Sequence, residues 1–556
     1  MPKVLLEKVI RKHALENAIK YQGKANAGSV IGKVISEFQK EDKQKLIQKV
    51  LKAVKEVNEL SLAEQLKEAE QHYPEILEKK EKTKEERILP ELPNVNKKVV
   101  MRFAPYPSGP LHIGNARPAI LNDEYCKKYN GKLLLIIDDT IGSEEKNIEP
   151  DAYKLIPEGL RWLKVEHDKN IIYKSDRLET YYKHAEELIN KGGAYVCSCQ
   201  SETLQEKRRN KEECAHRGQD IAMNLELWKS MFDAKEGSAA LRLKTDMQHP
   251  NPAFRDRVLF RISDREHPRV GKRYRVWPML EFSWAVDDYL LGITHVVRGK
   301  ELMIESEMQR FIWNILGWKG PELLHTGLIQ FKGVKLSKSK SKQEVKSGKY
   351  TGWDDPRTWS LQSLERRGFK PEAVRTFILS FGMNQTEITV PIETLHSENR
   401  KLINLEANRY FFVENMQKIK VDGVPKTLAK VEAPLHPEDG KRGKRALKIG
   451  NMFYIDDKLQ PGKVYRLMHG FNFKDGKFLN QEVDPALEAT LIHWLPADDD
   501  LVKIEVLMDD GSKIHGFGEP ALRNVKEGQV VQFERKFFCR LDRKENDKMI
   551  FWFLHR

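Results

Sequence analysis

The sequence predicts a multidomain chain: an α/β core with a parallel sheet, an inserted α+β segment, helical flanks and an all-β C-terminal tail. Three observations predict it. Apolar strand-like runs alternate with helical patterns over 99–190 and again over 276–345, and such alternation implies parallel strands. Across 191–275 the alternation stops and two Cys/His pairs bracket a basic segment, which marks an insert. From 431 to 556, runs such as VYRLMHGFNF, VKIEVLM and VVQFERKFFCRLD are separated by EDGK, KDG and DDGS turns, the texture of Greek-key barrels.

With 556 residues the chain has room for roughly three to five domains. No apolar run is long enough to span a membrane. The start, MPKVLLEKVIRKHALENAIK, reads as a charged amphipathic helix and not as a signal peptide. Five cysteines in a chain this long argue against a disulfide framework and for a reducing cytoplasm. A formal net charge of +14 favours a polyanionic partner.

Residues 1–88 are rich in Lys and Glu, with apolar residues at helical spacing: Leu5, Val9, Ile10 and His13 in one stripe, Ile47, Val50, Leu51 and Val54 in another. KYQGKANAGSVIGK (20–33) reads as a Gly/Ala break between helices. The charge run 79–98 ends in prolines, and its last part, 89–98, reads as the linker to the core. Residues 346–430 read as helical throughout, including SENRKLINLEANRYFFVENM.

Within the core, RFAPYPSGPLHIGNAR (102–117) joins a buried strand to a helix through a proline-rich turn. Free N–H groups and the helix dipole make such a turn an anion cradle, with His112 and Asn115 as neutral donors beside it. The strand GKLLLII (131–137) ends at Asp138. Ligands of parallel sheets bind at the carboxyl ends of strands, so Arg102, Ala104 and Asp138 should cluster at one edge. GLIQFKG (327–333) reads as a further strand of that sheet. The loop after it, VKLSKSKSK, places Lys335 and Lys338 where they can reach a polyphosphate as point charges. Cys197, Cys199, Cys214 and His216 read either as a tetrahedral Zn²⁺ site or as two pairs of free thiols. RDRVLFRISDREHPRVGKRYR (255–275) reads as a half-solvated strand pair or as a surface tracking a phosphate backbone.

HIGN and KLSKS, in that order around an α/β core and a basic insert, resemble the signatures of the class I aminoacyl-tRNA synthetases. LLLIIDDT, AYVCSC, NPAFRDRVLFRI, AVDDYLLGITHVVRGKE, GWDDPR, NRKLI and NRYFFV narrow the resemblance to archaeal-type glutamyl-tRNA synthetases, over about residues 96–556. It implies a Rossmann-type catalytic core, an acceptor-stem-binding insert at 191–275, a helical stem-contact domain at 346–430 and anticodon-binding β-barrels at 431–556. The implied reaction activates L-glutamate with ATP and Mg²⁺, then charges tRNA(Glu); whether tRNA(Gln) is charged with glutamate as well is left open by the resemblance.

By the same resemblance His112, Gly114, Asn115, Lys335, Ser337 and Lys338 face ATP. Arg102, Ala104, Ser108, Asp138, Leu280, Trp284 and Arg298 face glutamate. Arg298 is typical of the glutamate enzymes and lacking in the glutamine ones, and the Cys/His set matches zinc positions in parts of the family. Four residues depart from the family's pattern: Asn115 for a histidine, Ile136 for an arginine, Leu280 for a tyrosine and Tyr106 for a smaller polar residue. A glutaminyl-tRNA ligase and a catalytically impaired tRNA-binding paralogue are the rival readings.

Overall fold

The computed structural model describes residues 3–20, 23–38, 42–76, 89–143, 147–334, 338–497 and 500–556. The chain divides into two compact units, Met1–Ile88 and Leu89–Arg556.

The first unit holds α1 (Lys3–Lys20), α2 (Ala27–Glu37), α3 (Lys43–Asn58) and α4 (Leu62–His72). Half of the expected break at 20–33 is therefore helix, because the Asn26 side chain caps α2 by accepting from Ser29 N. The buried stripe of α3 is Leu46, Val50, Val54 and Val57, while Leu51 of the expected stripe is exposed.

In the second unit, Leu89 and Leu92 are buried in the main core and Leu92 N donates to Tyr129 Oη. The segment 89–98, expected as a linker, thus begins as part of the packed body; residues 77–88 lie outside the described ones. Strand β1 (Val100–Phe103) leads to α5 (Ile113–Lys128), β2 (Lys132–Ile137), α6 (Ala152–Trp162), β3 (Ile172–Tyr173) and α7 (Leu178–Asn190). The insert follows. Its strands β4 (Ala194–Cys197), β5 (Ala240–Leu243), β6 (Val258–Ile262) and β7 (Val276–Pro278) form an antiparallel sheet in that order, with α8 (Ser201–Asn210) and α9 (Ile221–Ser230) between the first two. The core resumes with α10 (Leu280–Leu290), β8 (His295–Gly299), α11 (Met303–Leu316) and β9 (Glu322–Thr326).

The core sheet has five strands in the order β3-β2-β1-β8-β9, all paired parallel. The chain winds outward from β1 in one direction and from β8 in the other. The carboxyl ends of these two neighbours flank the topological switch point, where open α/β sheets bind ligands.

Three expectations need correction. GLIQFKG does not join this sheet: β10 (Ile329–Lys332) pairs with β11 (Ile388–Pro391) in a separate two-stranded sheet. The helical region is α12 (Lys338–Lys346), α13 (Leu361–Arg367), α14 (Pro371–Leu379) and α15 (Glu393–Ile403), interrupted by β11, and the C-terminal β structure starts at residue 408 instead of 431. The aromatic run NRYFFV is what ends the helical part, as β12 (Asn408–Tyr410) and β13 (Phe412–Val413). Finally, there is one nearly closed barrel. Its seven-stranded sheet has β12 and β13 at its two edges, separated in the chain by Phe411 alone, so the sheet curls back on itself. Residues 417–496 form three small sheets of two to four strands round a core of Phe453, Phe471 and Trp494.

The last strand of the barrel, Lys548–His555, is tied to the helical region. Arg367 is buried and donates to Phe553 O and Leu554 O. Asn399 Nδ2 donates to His555 Nε2, and the His396 and His555 rings stack with centroids 5.1 Å apart. Burial pushes His396 down to about 3 and His555 down to about 4. Both rings are therefore neutral when folded and protonate more readily when unfolded. Their contribution is complete above about pH 6.5 and is lost as pH falls toward the folded values. The melting temperature should drop by about 5 °C or more between pH 7 and pH 4.5. His396→Phe, which keeps the stack and cannot ionise, should lessen that drop in circular dichroism melts.

Candidate active site

The turn after β1 is pinned from both sides. Asp138 N donates to Pro105 O and Glu149 N donates to Pro107 O, at 3.0 and 2.9 Å. Gly109 has φ +143° and packs its bare Cα against the Trp353 ring, where a Cβ would come within 3.1 Å. His112 then caps α5. Its Nδ1 accepts from Gly114 N at 3.0 Å, so the neutral ring carries its proton on Nε2. Asn115 Oδ1 accepts in return from His112 N at 3.3 Å. A capping box built from His112 and Asn115 thus fixes the cradle.

Two cavities meet at this cap. The larger, of about 720 Å³, is lined by Arg102, Ala104, Ser108, His112, Asn115, Trp284 and Arg298, with Lys342 at its rim. The smaller, of about 420 Å³, shares His112 and Asn115, adds Gly114, and is closed by Gly327–Phe331 and Val334. Val334 immediately precedes Lys335, and Lys342 lies one turn into α12. The chain on either side of the KLSK segment therefore borders the same cleft. Lys335 and Ser337 lie outside the described residues, as does the Lys338 side chain. Leu280 and Asp138 line neither cavity.

The two arginines are not equivalent. Arg102 makes a buried bidentate pair with Asp288: Nη2 donates to Oδ2 at 2.9 Å and Nε to Oδ1. Arg298, also buried, has only neutral side-chain partners among the described residues. Its Nη2 donates to Gln309 Oε1 at 2.6 Å and to Ser306 Oγ. Its Nε and Nη1 have no partner there, nor do Trp284 Nε1 and Asp138 Oδ2. Burial, reinforced by Arg102, pushes the Arg298 guanidinium down to about 9, so it stays charged at neutral pH. Trp284 lies between the cations, with Arg102 Cζ 4.8 Å and Arg298 Cζ 5.0 Å from its ring centroid. Unpaired buried donors in a cleft call for a ligand that accepts from them, here an anion.

Sequence reasoning missed Lys174. Fully buried, it pairs with Asp138 Oδ1 at 3.1 Å and donates to Ser283 Oγ at 2.8 Å. The signal was parallel register: Ile136↔Ile172 and Ile137↔Tyr173 bring Lys174 beside Asp138. Burial pushes the Lys174 ammonium down, opposed chiefly by Asp138 and Asp287.

A family model for tRNA synthetases class I (E and Q), catalytic domain, matches residues 98–405. Two further models, both for the anti-codon binding domain of those synthetases, match 407–491 and 491–542. The chain belongs to the class I (E and Q) tRNA synthetases. A glutamate–tRNA ligase of Methanothermobacter thermautotrophicus is 43% identical over 100% of both chains. That of Pyrococcus abyssi is 43% identical, covering 99% of this chain and 100% of its own. Among solved structures, a glutamate tRNA ligase from Elizabethkingia meningosepticum in complex with its amino acid gives a TM-score of 0.42 at 20% identity, over 56% of this chain and 71% of that one.

In this synthetase the insert carries the Cys/His set. The donor atoms of Cys197, Cys199, Cys214 and His216 lie within 4.8 Å of one another. Cys197 Sγ is 3.7 Å from Cys214 Sγ, and His216 Nδ1 is 3.4 Å from Cys199 Sγ. Sulfurs about 3.8 Å apart are what tetrahedral bonds of about 2.3 Å produce. His216 Nε2 is held by Ser198 Oγ at 2.9 Å, which orients Nδ1 toward the sulfurs. Four of the seven arginines of 255–275 are engaged with carboxylates or carbonyls as follows: Arg257 with Glu281 and Glu305, Arg269 with Asp176, Arg275 with Asp264, and Arg255 with the carbonyls of His249 and Pro250; Arg273 is exposed. That segment is closer to the half-solvated strand pair than to a free phosphate-tracking surface.

Lys174→Met should destabilise the synthetase by about 3–5 kcal/mol, because it strands the Asp138 carboxylate in the core. The double variant Lys174→Met/Asp138→Asn should recover more than half of that loss in denaturant unfolding.

Proposed function

We infer that this chain is a glutamate–tRNA ligase. It activates L-glutamate with ATP to glutamyl-adenylate and transfers the glutamyl group to the 3′ end of tRNA(Glu). The observation that carries the reading is Arg298: a buried guanidinium that lines the cavity adjoining the α5 cap, with neutral side-chain partners and with Nε and Nη1 unpartnered among the described residues. A carboxylate oxygen accepts from an open N–H of a charged guanidinium more strongly than an amide oxygen does. Glutamine is therefore the poorer substrate.

The remaining assignments follow the layout. The α-carboxylate of glutamate attacks the α-phosphorus of ATP, and pyrophosphate leaves. Negative charge grows on the phosphate oxygens, where the α5 N-terminus and the His112 Nε2–H meet it. Gly114 and Asn115 border the nucleotide side of the cleft. Lys335, Ser337 and Lys338 are assigned to the phosphates, and Mg²⁺ arrives with ATP to screen its charge. On the amino-acid side Asp138 is assigned to the α-ammonium by the family resemblance; it stands behind the cavity wall, with Lys174 on Oδ1 and Oδ2 unpartnered among the described residues. Arg102, balanced by Asp288, shapes this wall together with Ala104, Ser108 and Trp284. Leu280 has no place in the wall. The insert at 191–275 serves the acceptor stem and the β region the anticodon. Among the described residues no helix is long and apolar enough to cross a membrane, and the cytoplasm is the proposed location.

Pyrophosphate exchange tests the assignment. Exchange should depend on glutamate, with glutamine at least about 100-fold poorer in kcat/KM. Lys338→Ala should slow adenylate formation by about 10²–10³ while leaving tRNA binding near wild type. Exchange driven by glutamine would favour the rival glutaminyl ligase, and ATP binding without turnover the impaired paralogue.

The Cys/His set fits one structural Zn²⁺, whose four ligands would be Cys197, Cys199, Cys214 and His216. Purified protein should contain about one zinc per chain by elemental analysis. Cys214→Ser should lose the metal and make the insert sensitive to limited proteolysis.

A further inference from the structure

Gln309 lies on α11, fully buried and out of reach of the cavity. Its amide spans the two arginines. Oε1 accepts from Arg298 Nη2 at 2.6 Å, and Nε2 donates to Asp288 Oδ2 at 2.9 Å. The same Asp288 oxygen accepts from Arg102 Nη2 at 2.9 Å. The amide has one acceptor end and one donor end, so its orientation is dictated: only the oxygen can face a guanidinium and only the nitrogen a carboxylate.

The charges give this bridge its meaning. Arg102 is cancelled by Asp288. Were Arg298 cancelled as well, neither guanidinium of the cavity would be left without a carboxylate partner to attract an anionic side chain. Every partner that orients Arg298 is neutral: the Gln309 amide and the Ser306 hydroxyl, the latter held by Leu302 O at 2.9 Å and His325 Nε2 at 2.7 Å. These partners engage Nη2 alone, which leaves Nε and Nη1 unpartnered.

We propose that Gln309 is a positioning residue that sets the glutamate specificity of this enzyme, by fixing Arg298 in place without neutralising it. The proposal rests on the glutamate reading above. It also explains why an amide and not a carboxylate stands there. A glutamate at 309 would fit the same space, yet it would cancel Arg298 and repel Asp288.

The test is steady-state pyrophosphate exchange by the full-length wild type, Gln309→Met and Gln309→Glu, with glutamate, glutamine and ATP varied in turn. Gln309→Met should raise KM for glutamate by about tenfold or more, with KM for ATP within about twofold. Gln309→Glu should raise it further and narrow the preference for glutamate over glutamine by at least about tenfold. A merely structural residue would move both KM values or kcat alone. Should either variant melt below the assay temperature, Ser306→Ala probes the same guanidinium, with a rise in glutamate KM of about threefold expected. Folded variants whose glutamate KM and glutamine discrimination stay within twofold of wild type overturn the proposal. Absence of glutamate-dependent exchange in the wild type instead overturns the functional reading, and this inference falls with it.

Discussion

The ion pair between Arg102 and Asp288 is the contact on which the catalytic half depends. It joins the end of β1 to α10, and through Gln309 it reaches α11 and the end of β8. All four side chains are buried, so each charge must be answered inside the protein. Of the three charged groups, Arg102 and Asp288 answer each other, and the neutral Gln309 bridges them to the third. That third, Arg298, has no carboxylate partner among the described residues and stands at the switch point of the sheet. An unanswered buried charge is costly to maintain, and the surrounding hydrogen bonds are what hold it in place.

This arrangement separates two tasks that the sequence made look alike. Two arginines near the ends of adjacent strands suggest two forks for two carboxylates. In the folded chain Arg102 is paired with Asp288 as well as part of the wall, whereas Arg298 has no carboxylate partner among the described residues. Asp138 shows the same division, with one oxygen held by Lys174 and the other unpartnered.

Much of the fold was legible because its signals were local. The HIGN turn, the strands that end at Phe103, Ile137 and Gly299, and the Cys/His spacing all rest on short-range patterns; the structure brings the turn, Phe103 and Gly299 to one cavity and gathers the four ligand-type side chains. What stayed hidden depends on long-range pairing. Lys174 is beside Asp138 only through strand register, and Gln309 reaches Arg298 only because α11 packs against α10. Composition left one point open and misled at another. The arginine-rich 255–275 reads two ways, and several of its arginines are bound to neighbouring carboxylates and carbonyls. NRYFFV, set in a helical context, pairs instead with strands more than a hundred residues away.

That last pairing bears on how the chain matures. The barrel takes two staves from 408–413 and the other five from 502–555, with a separate small-sheet body between them. During synthesis the first two staves emerge long before their neighbours exist. They must wait, aromatic and unpaired, while the intervening body folds. Closure of the ring is therefore a late event that needs nearly the whole polypeptide, so a chain truncated before its final strand lacks a wall of the barrel and the seat of Arg367 and Asn399.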